Sequence, residues 1–126
     1  FRFIGTAEDR IREDYLRIAV AMLEDWNKKT CVGNFLRDIY DRRQAMNHGH
    51  DAPDRMPDVA LSYAGYFWLD FRGMRNRKLF GMNGNNGPNV LIDMDRGRIV
   101  VLNAAHTNFD WRALVYNAIR NGGLPN

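Results

Sequence analysis

The sequence predicts an α+β fold, an antiparallel sheet flanked by helices. Three observations lead there. Apolar residues recur at helical spacing near both ends, short β-rich runs bounded by glycine fill the region between, and the last two runs are joined by a four-residue turn ending in glycine.

Thr6-Ala7-Glu8-Asp9 opens the first helix with a hydroxyl N-cap and an acid three residues on, a variant of the capping box. Behind it, Ile11, Tyr15, Ile18, Ala19, Met22, Leu23 and Trp26 follow at spacings of three and four. That places one apolar stripe along a helix of about five turns. Arg10, Arg12, Glu13, Asp14, Arg17, Glu24 and Asp25 fall largely on the other side. Asn34 is the expected cap of a second helix, which carries Phe35, Leu36, Ile39 and Tyr40 and fades around Met46. Gly49, Pro53 and Pro57 mark the stretch from Asn47 to Pro57 as a surface loop.

Tyr63 to Phe71, rich in aromatics and bounded by Gly65 and Gly73, reads as one buried strand. Arg77 to Phe80 reads as a short strand entering Gly81-Met82-Asn83-Gly84-Asn85-Asn86-Gly87-Pro88. Asn89 to Asp93 and Arg98 to Asn103, joined by Met94-Asp95-Arg96-Gly97, predict an antiparallel hairpin. Asn108 then caps a last helix with Trp111, Leu114, Val115, Ala118 and Ile119 facing inward, ended by Gly122-Gly123 and Pro125. The expected sheet is a three-strand meander, small for so many apolar helix faces. Further strands are therefore expected from sequence outside this segment, and Phe1 in place of an initiator methionine fits that expectation.

Composition narrows the function classes. Of 126 residues, 45% are hydrophobic and 26% charged, as in ordinary globular domains. The net charge of +3 is spread along the chain with no run longer than Arg42-Arg43 or Lys28-Lys29, which argues against a nucleic-acid footprint. No apolar stretch reaches the roughly 18 residues of a membrane span. Cys31, the only cysteine, has no partner for an internal disulfide and no neighbouring pattern of a nucleophile. His48, His50 and Asp51 have metal-like chemistry but no third ligand at helical spacing, so no metal site is expected; His106 reads as a loop or capping residue. Trp26, Tyr66, Trp68 and Trp111 are expected in the core.

Three stretches, in order, resemble the β-lactamase-related serine hydrolases, a family that includes class C β-lactamases, D-alanyl-D-alanine carboxypeptidases, related esterases and nylon-oligomer hydrolases. Thr6-Ala7-Glu8-Asp9, with its helix to Leu23-Glu24-Asp25, is similar to the family's T-A-x-D-L-A-R helix ending near L-N-D-G. Tyr63-Ala64-Gly65-Tyr66-Phe67-Trp68 is similar to Y-G-Y-G-W-W, and Phe80-Gly81-Met82-Asn83-Gly84-Asn85-Asn86-Gly87-Pro88 to F-G-H-x-G-x-x-G-Q. The hairpin that follows also matches, with Asp93 before its turn and Asn103 ending its last strand.

The resemblance implies that residues 1–126 are the C-terminal portion of a single β-lactamase/transpeptidase-like domain. The N-terminal portion, with the nucleophile, would be the partner, on the same or a second chain. Neither S-x-x-K nor Y-x-N occurs in a usable context, and Ser62, the only serine, lacks the lysine, so this chain alone is expected to be inactive. Acyl transfer to water at an amide, ester or peptide bond is implied, with no metal or organic cofactor, in a periplasmic or secreted setting. In the family one oxyanion donor comes from the nucleophile and the other from the strand after the third motif. Carried onto this sequence, the second donor is the backbone N–H near Asn85. Met82, Asn83, Gly84, Asn86 and Gly87 would line the substrate, with Tyr66 and Trp68 at the bordering strand edge.

Gly84 and Gly87 let backbone approach a ligand without a Cβ in the way. By residue type alone the stretch also reads as an Asn/Gly-rich turn, because Asn tolerates turn and left-handed conformations. The chain departs from the family at two places. Met82 stands where the family offers a lysine or histidine to a substrate carboxylate, and it neither carries charge nor donates strongly. Pro88 replaces the usual glutamine and removes a backbone donor. Those departures motivate a second expectation, a non-catalytic binding or scaffold member of the same fold. A third is a self-contained small ligand-binding domain.

Overall fold

The computed structural model describes residues 9–45, 60–74, 76–83, 89–102 and 117–121. Two helices come first, α1 (Asp9–Lys28) and α2 (Cys31–Asp41). Six strands follow, β1 (Gln44–Ala45), β2 (Ala60–Ala64), β3 (Phe67–Phe71), β4 (Leu79–Asn83), β5 (Asn89–Asp93) and β6 (Arg98–Leu102). Residues 117–121 are helical. The strands form one antiparallel sheet in sequential order, β1 to β6. The α+β expectation holds, and the sheet is twice the size of the three-strand meander expected.

The helical hairpin forms because Lys29, just past the end of α1, takes φ 53°, and Thr30 caps the start of α2. Thr30 Oγ1 accepts the Gly33 N–H at 3.1 Å and donates to Asp25 Oδ1 at 2.9 Å. Thr30, and not Asn34, is therefore the cap, and Phe35 lies exposed rather than inside. Gly33 is where the two helices touch: a Cβ there would strike the Asp25 carbonyl oxygen and sit 3.0 Å from the Trp26 nitrogen. The helix ends at Asp41, short of the fade expected around Met46. On α1 the apolar stripe holds for Ala19 and Trp26, while Ile18 is 52% exposed. The Thr6 cap lies outside the described residues.

Covered on both faces, β5 is buried along its whole length. Val90 and Ile92 pack with Leu69, Phe80, Met94 and the α1 and α2 residues Ala19, Trp26, Leu36, Ile39 and Tyr40. Leu91, pointing the other way, packs with Ala60, Phe71, Met74, Leu79 and Ile119. The sheet thus lies between the α1–α2 pair and residues 117–121. Of the last helix expected from sequence, Ala118 and Ile119 are described and Ile119 is fully buried; Asn108, Trp111, Leu114 and Val115 lie outside the described residues.

The run Tyr63–Phe71 is two strands, not one. Ala64 pairs with Phe67 across a two-residue turn, and Gly65 and Tyr66 both take positive φ, 55° and 68°. That pair of angles is the turn geometry matching the twist of a β-hairpin. Downstream, Asp70 also takes φ 53°. Leu69 and Phe71, which would share a face in a regular strand, accordingly pack in opposite layers. The Arg43 guanidinium pairs with the Asp70 carboxylate and lies 4.1 Å over the Tyr40 ring, fixing that irregularity against α2. The hairpin of β5 and β6 forms as expected: Gly97 takes φ 68°, its N–H reaches the Asp93 carbonyl at 2.9 Å, and Arg96 N–H reaches Asp93 Oδ1 at 3.0 Å.

Candidate functional site

The third motif enters the site on β4. Leu79-Phe80-Gly81-Met82-Asn83 is regular strand, hydrogen-bonded to β5 from Leu79 opposite Asp93 to Asn83 opposite Asn89. Gly81, Met82 and Asn83 thus belong to the sheet and not to the connecting segment expected from sequence. On the other side β4 pairs with β3, Trp68 opposite Gly81. Gly81 therefore sits in a row that crosses all six strands, Gln44, Tyr63, Trp68, Gly81, Leu91 and Val100. Within that row the Trp68 and Tyr63 rings lie 4.6 Å apart.

Following the same register, Tyr66 at the β2–β3 turn comes level with Asn83 at the end of β4. The fold thus brings the second and third motif stretches to one end of the sheet. Tyr66 is 88% exposed there, so it is not the core residue it was expected to be. Trp68 is half-buried between its neighbours in the row. The turn itself is anchored, since a Cβ on Gly65 would lie 2.8 Å from Ile39 Cδ1 on α2.

Met82 is half-buried and packs against the layer formed with α1 and α2, beside Phe67, Val90 and Val101. An apolar side chain packed against the core thus stands at the position where the resemblance offers a cation. Asn85, Gly84, Asn86 and Gly87, with Pro88, lie outside the described residues and join the paired ends of β4 and β5. His48, His50, Asp51 and His106 also lie outside. Cys31 is exposed at the first turn of α2. Ser62, on β2, is 7% exposed and paired between Ala45 and Leu69, where a bulky electrophile has no approach.

Two polar clusters were not singled out from sequence. Arg77 and Asp93 form a buried ion pair, Nε to Oδ2 at 2.9 Å, with the guanidinium also donating to the Ile119 carbonyl at 3.0 Å. Arg98 donates to the same carbonyl at 3.0 Å, so two arginines hold residues 117–121 to the sheet. The second cluster is Tyr40, Arg43 and Asp70. Burial pushes the Tyr40 phenol above its usual range, against the opposing pull of Arg43. Both clusters support the sheet, and neither adjoins the end that holds the Tyr66 turn and the last residue of β4. The two were hidden for one reason: 16 residues separate Arg77 from Asp93 and 27 separate Arg43 from Asp70, so only strand register joins them.

Among the described residues, no group of three or more histidine, cysteine or acidic side chains could hold a metal ion, and no helix is long and apolar enough to cross a membrane. Comparison with known proteins returned no match: no family model, no curated protein and no solved structure.

Proposed function

We propose that this chain supplies one wall of a serine-hydrolase site of the β-lactamase-related type. The observation that carries the reading is the pairing of Trp68 with Gly81, which sets the second and third motif stretches side by side on neighbouring strands. Two stretches matched separately in sequence thereby lie abreast at one end of the sheet, with Phe67 and Met82 toward the helix pair and Trp68 toward the opposite layer. The β5–β6 hairpin with Asp93 before its turn and the helical residues 117–121 behind the sheet are consistent with it.

In this reading a serine encoded outside the 126 residues attacks the carbonyl carbon of an ester, amide or peptide bond. The hydroxyl proton passes to the leaving group, which departs, and water then releases the acyl group and restores the serine. The backbone N–H of Asn85 is one of two donors to the oxyanion, and Met82, Asn83, Gly84, Asn86 and Gly87 border the acyl group. Tyr66 and Trp68 form the adjoining rim. The chain needs the N-terminal portion of its domain to act.

Met82 packed into an apolar layer favours a second reading, a non-catalytic binding or scaffold member of the same fold. Covalent labelling separates the two. The full-length protein treated with a fluorophosphonate probe is expected to gain one adduct, mapped by peptide mass spectrometry to a serine outside residues 1–126, while the 126-residue chain gains none. Absence of any adduct on the full-length protein leaves the scaffold reading. An adduct on Ser62 overturns the assignment outright.

A further inference from the structure

Cations scattered along the sequence are gathered by the fold at one end of the sheet. Among the described residues from β2 onward, the cations are Arg72, Arg77, Lys78, Arg96, Arg98 and Arg120. All stand opposite the Tyr66 end, on the β3–β4 connection, the β5–β6 turn with the start of β6, and residues 117–121. Register joins the first two segments, because Asp93 lies opposite both Leu79 and Arg98, and the Met94 N–H donates to the Lys78 carbonyl at 3.0 Å. The third is held by Arg98, which donates to the Ile119 and Arg120 carbonyls at 3.0 and 2.6 Å. A Cβ on Gly73 would lie 3.4 Å from the Arg120 guanidinium, so Arg120 rests against the segment that carries Arg72.

Few acceptors answer this charge. Arg77 and Arg96 share the Asp93 carboxylate, at 2.9 and 3.6 Å, and Arg77 and Arg98 share the Ile119 carbonyl. Of the other acids on the described strands and turns, Asp70 is taken by Arg43 and Asp95 stands exposed. Like charges crowded round so few acceptors repel one another, and an external anion relieves that repulsion. Arg77 is buried and fixed by its bonds, while Arg72, Arg96 and Arg120 are exposed and Lys78 is half-buried.

The carriers of the charge narrow the kind of anion. Five of the six are arginines, whose planar guanidinium pairs bidentately with phosphate oxygens. They stand at a sheet end and not along a helix that could enter a duplex groove. The exposed residues among them, Gly73, Asn76, Asp95 and Gly97, offer no ring on which a base could stack. None of the large apolar side chains exposed among the described residues lies there to enter hydrocarbon. We infer that this end of the sheet is a peripheral docking surface for an anionic phospholipid bilayer, meeting headgroup phosphates without insertion. The inference is independent of the acyl-transfer reading, whose residues lie at the other end.

Sedimentation of the full-length protein with vesicles tests it. Binding is expected to vesicles of phosphatidylcholine and phosphatidylglycerol in equal parts, and not to phosphatidylcholine alone. Release is expected at about 1 M salt, where the screening length falls to about 3 Å. Arg72→Gln/Lys78→Gln/Arg120→Gln should weaken binding about a hundredfold, about fivefold for each cation, at an unchanged urea midpoint. Arg72→Gln and Arg120→Gln made singly should each show the fivefold step, which keeps the test open whatever the triple change does to folding. Arg17→Gln/Lys28→Gln/Lys29→Gln removes the same charge from α1 and the residue after it, and should bind nearly as the parent. No binding to the mixed vesicles, equal binding to phosphatidylcholine alone, or equal losses in the two triple variants would each overturn the inference. Duplex DNA bound more tightly than the vesicles, through the same three residues, would overturn it in favour of a nucleic-acid surface. The fluorophosphonate result stands apart from all of these outcomes.

Discussion

Phe80→Ala is expected to destabilise the protein by about 3–5 kcal/mol, the range for deleting a fully buried aromatic side chain. The Phe80 ring is the centre of the layer between sheet and helices. Its centroid lies 5.2 Å from Phe67, 5.7 Å from Trp26 and 6.0 Å from Tyr40, edge-on to the first two and stacked with the third. Removing it opens a cavity bounded by three rigid rings on three different elements, which cannot collapse without moving α1, α2 and β3 together. Phe80→Leu, which refills much of that volume, should lose clearly less. Against a typical stability of about 5–15 kcal/mol, the alanine variant is marginal. Urea unfolding followed by tryptophan fluorescence measures both variants, and equal losses would show that the ring stack contributes nothing beyond bulk.

Arg77→Met is the second large effect, expected to cost about 3–5 kcal/mol, because it strands a buried carboxylate. Asp93 is fully buried, and its remaining cation, Arg96, stands at 3.6 Å with a side chain about half exposed. The substitution also removes one of the two arginines on the Ile119 carbonyl. The physical cause can be isolated. If the uncompensated charge dominates, Arg77→Met combined with Asp93→Asn loses less than Arg77→Met alone, since the amide can still accept from the Arg96 N–H without a charge to desolvate. A double-mutant cycle reads this coupling directly. Strict additivity of the two changes would contradict the ion-pair account.

Much of this architecture was legible because local chemistry and tertiary structure agree. The three-four spacing of Ala19, Met22 and Trp26 has one solution, a helix with a buried stripe. The β5–β6 hairpin was legible from end to end because Asp93 and Gly97 both serve the turn: one accepts from Arg96, the other takes positive φ. Legibility failed where two residue types could do the same job or where the deciding partner was distant. Thr30 and Asn34 can each cap a helix, and Thr30 wins because Lys29 has already left the helical region. The Gly65–Tyr66 turn stayed hidden since nothing in a tyrosine announces positive φ, and an unbroken aromatic run looks like one strand. The two-residue β1 is too short to carry a pattern; its pairing with Tyr63 and Ser62 comes from the sheet. At the candidate site it was the resemblance, and not the residue types, that pointed to Met82 and Asn83. That these are strand residues abreast of the Tyr66 turn required the register of β3 against β4.

In the proposed site the segment following β4 donates a backbone N–H to an oxyanion, and one pair of substitutions tests this most directly. In the full-length protein, Asn85→Ala keeps the N–H and Asn85→Pro deletes it. The account predicts that Asn85→Pro lowers kcat for phenyl acetate by about 10²–10³-fold, the loss associated with one oxyanion donor, at an unchanged urea midpoint. Asn85→Ala should stay close to the parent. Comparable turnover in the proline and alanine variants, both folded, would contradict the account.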